Sequence, residues 1–367
     1  MKKLDWYILK KFLITFFFCI LLFTVIAVVV DISEKTDDFI KSGLGFTGVF
    51  MQYYIGFIPY IVALLFPLFV LIAVVFFTSK MAGRSEIIAI LASGTSFRRF
   101  LVPYIIGGSA LALLLLYSAH FVVPKAQEIR GNFETRYVDG NNSYNALLFT
   151  GNDIYERLDT NTYFGVRNYD TARKYGGPFF LHRIKGNTQL VYNVRAESLM
   201  WDTTKGKRRW VLQNAFERTI INGKESIKQT TRLEMPSFNF QPFDLSHDEF
   251  AKDKLTTPQL SHFIKMEELR GAEDVNTLRV ERYRRSATAI SVIILTIIGA
   301  TVASRRVRGG SGAHIAIAFV IGILFILTDR FSTIFSSKGS LPPLIAAWIP
   351  NVIFLFVTYY LYRKAPK

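Results

Sequence analysis

The chain has 367 residues, half of them hydrophobic and 15% aromatic, with 44 basic against 28 acidic side chains and a formal charge of +16. That excess is not pooled on one polar face, which excludes a nucleic-acid binder: much of it sits in short segments that alternate with long uncharged apolar runs, the pattern of a membrane protein. The one cysteine, Cys19, lies inside an apolar run, so no disulfide framework is expected.

The first apolar run, about Phe12–Val30, follows basic residues as a signal peptide would. It is longer than a usual signal core, and no small-x-small cleavage pattern precedes Asp31, so it is expected to stay as a membrane span. Asp31–Phe50 reads as an external loop, with Asp31, Glu34, Asp37 and Asp38 against Lys35 and Lys41. The second span is expected at about Tyr53–Thr78.

Between spans two and three runs Gly83-Arg84-Ser85-Glu86-Ile87-Ile88-Ala89-Ile90-Leu91-Ala92-Ser93-Gly94. Ser85 is placed to cap a short helix, and Glu86 suits its positively polarised first turn. Gly94 is placed to end it in a left-handed conformation. Two readings of so apolar a helix stay open: it lies on the membrane surface, or its polar tip enters a partner's groove.

The third span is expected at about Leu101–Val123 and a β domain at about 124–255. Tyr144–Thr150, Thr162–Tyr169, Phe179–Ile184, Gln189–Val194, Trp210–Ile221 and Ser226–Met235 are rich in β-branched and aromatic residues. Gly151-Asn152-Asp153, Gly176-Gly177-Pro178, Gly186-Asn187 and Asn222-Gly223 mark turns between them, and Pro236 and Pro242 mark the exit. Regular short strands favour a sandwich, jelly roll or open barrel. Asn141-Asn142-Ser143 is a glycosylation pattern of little weight. A helical connector spans about 256–285, with Thr257 as cap, Pro258 in the first turn, Gly271 at the break, and a polar helix at about Val275–Arg285. The last spans are expected at about Ser286–Ser304, Ala313–Phe335 and Leu344–Tyr362, completing residues 286–367. A bilayer core is about 30 Å thick and takes about 20 apolar helical residues to cross. The fold class is therefore α-helical membrane protein, six spans, with an all-β jelly-roll-like domain inserted between the third and fourth.

Segments 1–11, 79–100, 304–312 and 363–367 carry fourteen Lys and Arg residues against Asp5 and Glu86. Short loops rich in cations stay in the cytoplasm, which puts both termini there and the β domain outside. No G-x-x-x-x-G-K-[ST] loop occurs, so ATP hydrolysis by that route is excluded. The histidines (His120, His182, His247, His262, His314) have no metal-ligand spacing, and no G-x-S-x-G turn is present. No cofactor or metal is expected. Asp329 and Arg330 are adjacent in span five. They are either an interfacial pair anchoring a helix end or a polar group at the mouth of a cavity. The spans lack the mid-membrane ionisable group of a proton-coupled transporter.

Leu4-Asp5-x-Tyr7-Ile8, Phe66-Pro67-Leu68, Arg84-Ser85-Glu86…Ala92-Ser93-Gly94, Pro124…Arg130-Gly131-Asn132, Arg282-Tyr283-Arg284-Arg285 and Leu341-Pro342-Pro343…Pro350 occur in this order across nearly the whole chain. In these pieces the chain resembles the LptF/LptG family of lipopolysaccharide export permeases, with its start and Leu-Pro-Pro segment nearer the LptG branch. The resemblance implies an inner-membrane permease paired with a second permease, alike or different, and bound to a dimer of the ATPase LptB. Arg84, Ser85, Glu86, Ala92, Ser93 and Gly94 would form the coupling helix, about 84–94. Lipopolysaccharide would enter a cavity near Lys35, Lys41, Phe66, Pro67, Arg130, Asp329 and Phe331. It would then pass through the β domain to an LptC-type adaptor and a periplasmic bridge. Two departures stand out. The region Asp31–Lys41 is net acidic where the family often carries phosphate-contacting cations, and Ala289 stands where a proline is common early in span four. A permease for another lipid or lipoprotein, and a membrane-anchored sensor or scaffold, are the alternatives. A sensor would normally carry a cytoplasmic output domain, and none is expected from these segments.

Overall fold

The computed structural model describes residues 3–138, 154–170, 173–186, 189–202, 209–221, 223–235, 251–270, 275–304, 310–339 and 341–365. They form two compact units. One, helical, comprises Met1–Tyr137, Lys252–Ser261 and Asn276–Lys367; the other, built on a sheet, comprises Val138–Ala251 and His262–Val275.

The helices in chain order are α1 (Lys3–Lys41), α2 (Phe46–Gly83), α3 (Glu86–Ala92), α4 (Phe97–Phe133), α5 (Ala251–Lys254), α6 (Thr257–Arg270), α7 (Val275–Ala303), α8 (Gly310–Lys338) and α9 (Pro343–Arg363). Six of them, α1, α2, α4, α7, α8 and α9, are long and apolar enough to cross a membrane. Small residues let them approach closely, as membrane helices require in the absence of a hydrophobic drive between them. A Cβ on Gly56 would stand 2.3 Å from the Ala126 carbonyl oxygen, so α2 and α4 meet backbone to backbone there. Phe12, Phe16, Phe66, Phe100 and Tyr104 fill one core of the bundle, and Leu71, Leu295, Ile298 and Phe354 a second.

The helices outrun the apolar spans. The external loop expected from Asp31 is instead the last turns of α1, and only residues 42–45 separate it from α2. The reason is local: Asp31 and Lys35 stand one turn apart and pair at 3.5 Å, which favours helix. Likewise α4 runs past Val123 to Phe133. Pro124 falls in the first turn of a resumed α segment, where a missing N–H costs little. That restart follows a π turn at Ser118–Val122; others occupy Phe50–Tyr54 in α2 and Glu134–Val138 beyond α4. The sheet unit therefore begins at Val138 rather than 124. At α6 the helix starts at Thr257, so the capping residue is Thr256, whose N–H and hydroxyl both donate to Gln259 Oε1, at 2.9 and 2.6 Å.

In the sheet unit the strands are β1 (Ile154–Asp159), β2 (Thr162–Val166), β3 (Tyr175–Gly176), β4 (Phe179–Lys185), β5 (Gln189–Ala196), β6 (Ser198–Asp202), β7 (Arg209–Ile221) and β8 (Lys224–Met235). All pairs are antiparallel, in the order β1-β2-β4-β5-β7-β6-β3, with β8 along β7. β3 and β4 are halves of one interrupted strand, as are β5 and β6, so the chain meanders, each strand pairing the next. The inward side chains change parity where the halves meet: Tyr192, Val194 and Ala196 precede Leu199 and Trp201, and Trp210 and Leu212 precede Ala215. At this corner Asn214 adopts φ +47° and its side-chain amide donates to Glu197 at 2.6 Å. The sheet folds on itself there and closes a core around Trp210, with the Trp201 ring 4.9 Å and the Tyr169 ring 6.2 Å away.

The all-β expectation is met, and the five strand runs expected from Thr162 to Met235 are present. β1, β3 and β6 were not foreseen. The β7–β8 hairpin forms as expected, with Gly223 at φ +80°. Tyr144–Thr150, Gly151-Asn152-Asp153, Asn141-Asn142-Ser143, Asn187, Asn222, Pro236, Pro242, His247, Gly271 and most of 304–312 lie outside the described residues.

Candidate functional site

At the basic end of the bundle, α2 turns into α3 through two residues, Arg84 and Ser85. Ser85 holds φ +62°, and its side chain makes no capping hydrogen bond, so it reverses the chain rather than capping it. A non-glycine residue in that region carries about 1–3 kcal/mol of strain. Gly94, at φ +85°, ends the helix as expected. The helix has two faces. Ile87 is buried in the bundle core, with Ile90 and Leu91 packed against it. Ile88 is 55% exposed, and Arg84, Ala89, Ala92, Ser93 and Gly94 are exposed with it. Glu86 accepts a hydrogen bond from the Tyr7 hydroxyl at 3.3 Å and stands 3.9 Å from Arg84. Beside it Asp5 and Arg99 pair at 2.6 Å, tying the start of α1 to that of α4. Ile88 was not among the coupling residues picked from sequence. Its apolarity was visible, its exposure was not.

A cavity of about 200 Å³ opens among α2, α4, α7 and α8, walled by Tyr60, Leu64, Pro67, Leu68, Leu115, Gly322 and Phe325. Its polar end is a charge cluster: Asp253 of α5, Glu281, Arg284 and Arg285 of α7, and Asp329 and Arg330 of α8. Arg284 grips Glu281 with two N–H groups at 2.7 and 3.0 Å and lies 3.7 Å from Asp329. Arg285 donates to the Lys252 carbonyl at 2.9 Å and the Thr257 hydroxyl at 3.1 Å, pinning α5 and the start of α6 to α7. Asp329 thus lines the polar end of the cavity and pairs with Arg284 of α7 rather than with its chain neighbour Arg330. Pro67 lines the cavity. Phe66 does not; its ring is buried against Phe16 at 5.0 Å. Phe331 is exposed, pointing away from the core. Asp253 and Glu281 were missed because acids in a polar connector carry no signal by themselves.

Burial, and then the neighbouring Glu281, raise the Asp253 carboxyl above its ordinary value. A raised carboxyl contributes stability that is complete below the unfolded pKa and lost as pH rises through the folded one. Asp253→Asn is therefore expected to raise thermal stability at about pH 7, and its advantage to fade as pH falls toward about 4. Melting of the full chain and the variant in detergent across that range checks it; an advantage independent of pH refutes it.

At the opposite end of the bundle, α1, α2 and α4 meet in a second polar network. Tyr53 and Tyr54 each donate to one oxygen of Asp31, both at 3.0 Å. Lys35 donates to Glu134 at 2.8 Å and to the Tyr53 hydroxyl. Arg130 donates to the same Glu134 oxygen through Nε at 3.1 Å and Nη2 at 3.0 Å, while its guanidinium lies over the Tyr60 ring at 4.7 Å. Lys35 and Arg130, distant in sequence, share one carboxylate. Lys41 is exposed in the last turn of α1.

Among the described residues no group of three or more His, Cys, Asp or Glu side chains is arranged to hold a metal. Compared with known proteins, residues 6–364 match the family model described as lipopolysaccharide export system permease LptF/LptG. The chain is 21% identical over 310 residues to the lipopolysaccharide export system permease protein LptG of Escherichia coli K12, covering 84% of this chain and 83% of that protein. It is 20% identical over 311 residues to the protein of the same name from Haemophilus influenzae, with the same coverage.

Proposed function

The chain belongs to the LptF/LptG family of lipopolysaccharide export permeases, and on that premise we propose that it is the permease half of an ATP-driven lipid extractor in the bacterial inner membrane. ATP hydrolysis is supplied by a separate dimeric ATPase of the LptB type, since the chain carries no P-loop. The basic end faces the cytoplasm under the positive-inside rule, and the sheet unit is periplasmic. A second permease of the same family completes the pathway, and an LptC-type adaptor receives the lipid.

The observation that carries this reading is the two-faced α3. A helix anchored through Ile87 and presenting Ile88 with small exposed neighbours suits insertion into a partner's groove. Arg84, Ser85, Glu86, Ala92, Ser93 and Gly94 are the proposed coupling surface. Lys35, Lys41, Pro67, Arg130, Asp329 and Phe331 remain the proposed lipid contacts. Extraction of the full chain from its own membrane in mild detergent tests the proposal. A P-loop ATPase is expected to co-purify, and release of lipopolysaccharide to an acceptor is expected to need ATP. A chain that comes out without an ATPase, or releases lipid at the same rate without ATP, overturns it.

A further inference from the structure

On the outward side of the sheet the strand registers bring one row of residues into line. Tyr155, Gly165, Phe180, Arg195, Phe216 and Gln229 stand on β1, β2, β4, β5, β7 and β8, each directly opposite the next. Their chain neighbours Ile154, Phe164, Leu181, Val194 and Ala215 are buried in the core, so alternation turns the row outward. Tyr155 is 59% and Phe216 47% exposed. Gly165 lets the rings lie down over the strand. A Cβ there would stand 2.4 Å from Cε1 of Phe180 and 3.0 Å from Cδ1 of Tyr155, whose ring centroids are 5.7 Å apart. Arg195 separates Phe180 from Phe216. It is exposed and, among the described residues, neither hydrogen-bonded nor ion-paired. Beside this row Arg157 lies over the Tyr163 ring at 5.5 Å, and Arg218 is neutralised by Glu225.

That composition selects the occupant. The core of a protein interface is poor in charge, and an acyl chain gains nothing from lying across a cation; here an unpaired guanidinium stands between the rings. An acidic sugar suits both elements. The C–H face of a sugar ring carries the partial positive charge that the negative face of an aromatic ring attracts. A sugar carboxylate takes two parallel bonds from a guanidinium. Neighbouring strands lie about 4.8 Å apart, so rings and cation succeed one another on the scale of single sugar units. We infer that this row is a docking surface for acidic oligosaccharide, with Phe180 and Phe216 stacking sugar rings and Arg195 holding a carboxylate between them. Its source is the saccharide portion of the exported lipid, so the inference rests on the export reading. The row adds a selection for saccharide, which apolar walls around acyl chains cannot make.

Equilibrium dialysis of the full chain with its co-purifying partners in detergent tests this with three probes: the oligosaccharide of lipopolysaccharide freed of its lipid, tri-galacturonate, and neutral galactotriose. Arg195→Gln is expected to weaken binding of the first two by about tenfold, the worth of one charge-assisted bond, and to leave galactotriose unchanged. Phe216→Ser is expected to weaken all three. Both side chains are exposed, so the melting temperature should hold. In proteoliposomes both variants should slow ATP-driven release of lipopolysaccharide more than that of lipid A without saccharide. Equal loss of all three probes with Arg195→Gln, or no loss with either variant, overturns the inference. Binding of tri-galacturonate without binding of the freed oligosaccharide overturns the exported lipid as the source. An unaltered chain that releases lipopolysaccharide with ATP yet binds no oligosaccharide overturns the inference and leaves the export reading standing. One that releases no lipid overturns the export reading and, with it, the assigned source.

Discussion

Ile88→Asp is expected to abolish ATP-driven lipid release while the permease stays folded and inserted. Ile88 is more than half exposed, so a charge there touches little of the bundle. Surface changes of that kind usually alter stability by about 0.5 kcal/mol or less. In a partner's groove the same carboxylate would be buried without a counter-charge, and an interface hot spot of that kind is worth about 2 kcal/mol or more. Release from proteoliposomes is therefore expected to fall about tenfold or more. Glu86→Lys should act in the same direction. It loses the Tyr7 hydrogen bond and places a cation at the positive end of α3, a folding cost of only about 0.3–1 kcal/mol. Both variants are measured for melting temperature, ATPase recovery and lipid release. Normal release with either change would remove α3 from the coupling path; a parallel collapse of melting temperature would make its role structural.

Arg284→Met is expected to be the most destabilising single change in the charge cluster. It leaves Glu281 and Asp329 without their shared guanidinium, close to Asp253. Removing one partner of a buried pair costs about 3–5 kcal/mol, and the partial exposure of Arg284 places this case at the lower end. The loss should be non-additive. Asp329→Asn in the Arg284→Met background is expected to restore part of the stability, since it removes one of the stranded charges. Thermal unfolding of the two single variants and the double one gives the coupling directly. Simple additivity would mean that Arg284 and Asp329 do not interact.

What the sequence disclosed followed the strength of the local pattern. Long uncharged runs located all six spans, and β-branched clusters located five strands. Asp31 and Lys35 broke the apolar run and so read as the start of a loop; their pairing one turn apart favours helix instead, and the tyrosines of α2, brought alongside by folding, satisfy Asp31 there. Ser85 looked like a cap because serine favours that role, yet the reversal between α2 and α3 demanded a left-handed residue instead. The fold in the sheet was hidden because it rests on two parity changes, at Glu197 and Asn214, which alternation patterns register only as noise. Asp329 drew notice as an ionisable residue in an apolar span. Asp253, Glu281 and Glu134 did not, because their meaning lies wholly in partners far along the chain. Arg84–Gly94 stood out because its composition, its closing glycine and its place between spans agree.

The π turns have a consequence for how such a chain can change over generations. Each takes in roughly one residue more than an α turn, so the helix beyond it is out of phase with the helix before it by about 100°. The stretch of α2 that begins at Phe50 is therefore indexed separately from the rest of the span. Through that offset two successive residues, Tyr53 and Tyr54, both face the same aspartate on α1. Loss of a single residue from the turn would leave an uninterrupted apolar helix of adequate length, yet swing the tyrosines off Asp31 and unseat Lys35. Insertions and deletions here act as a dial on the polar end of the bundle, leaving the membrane-crossing register untouched.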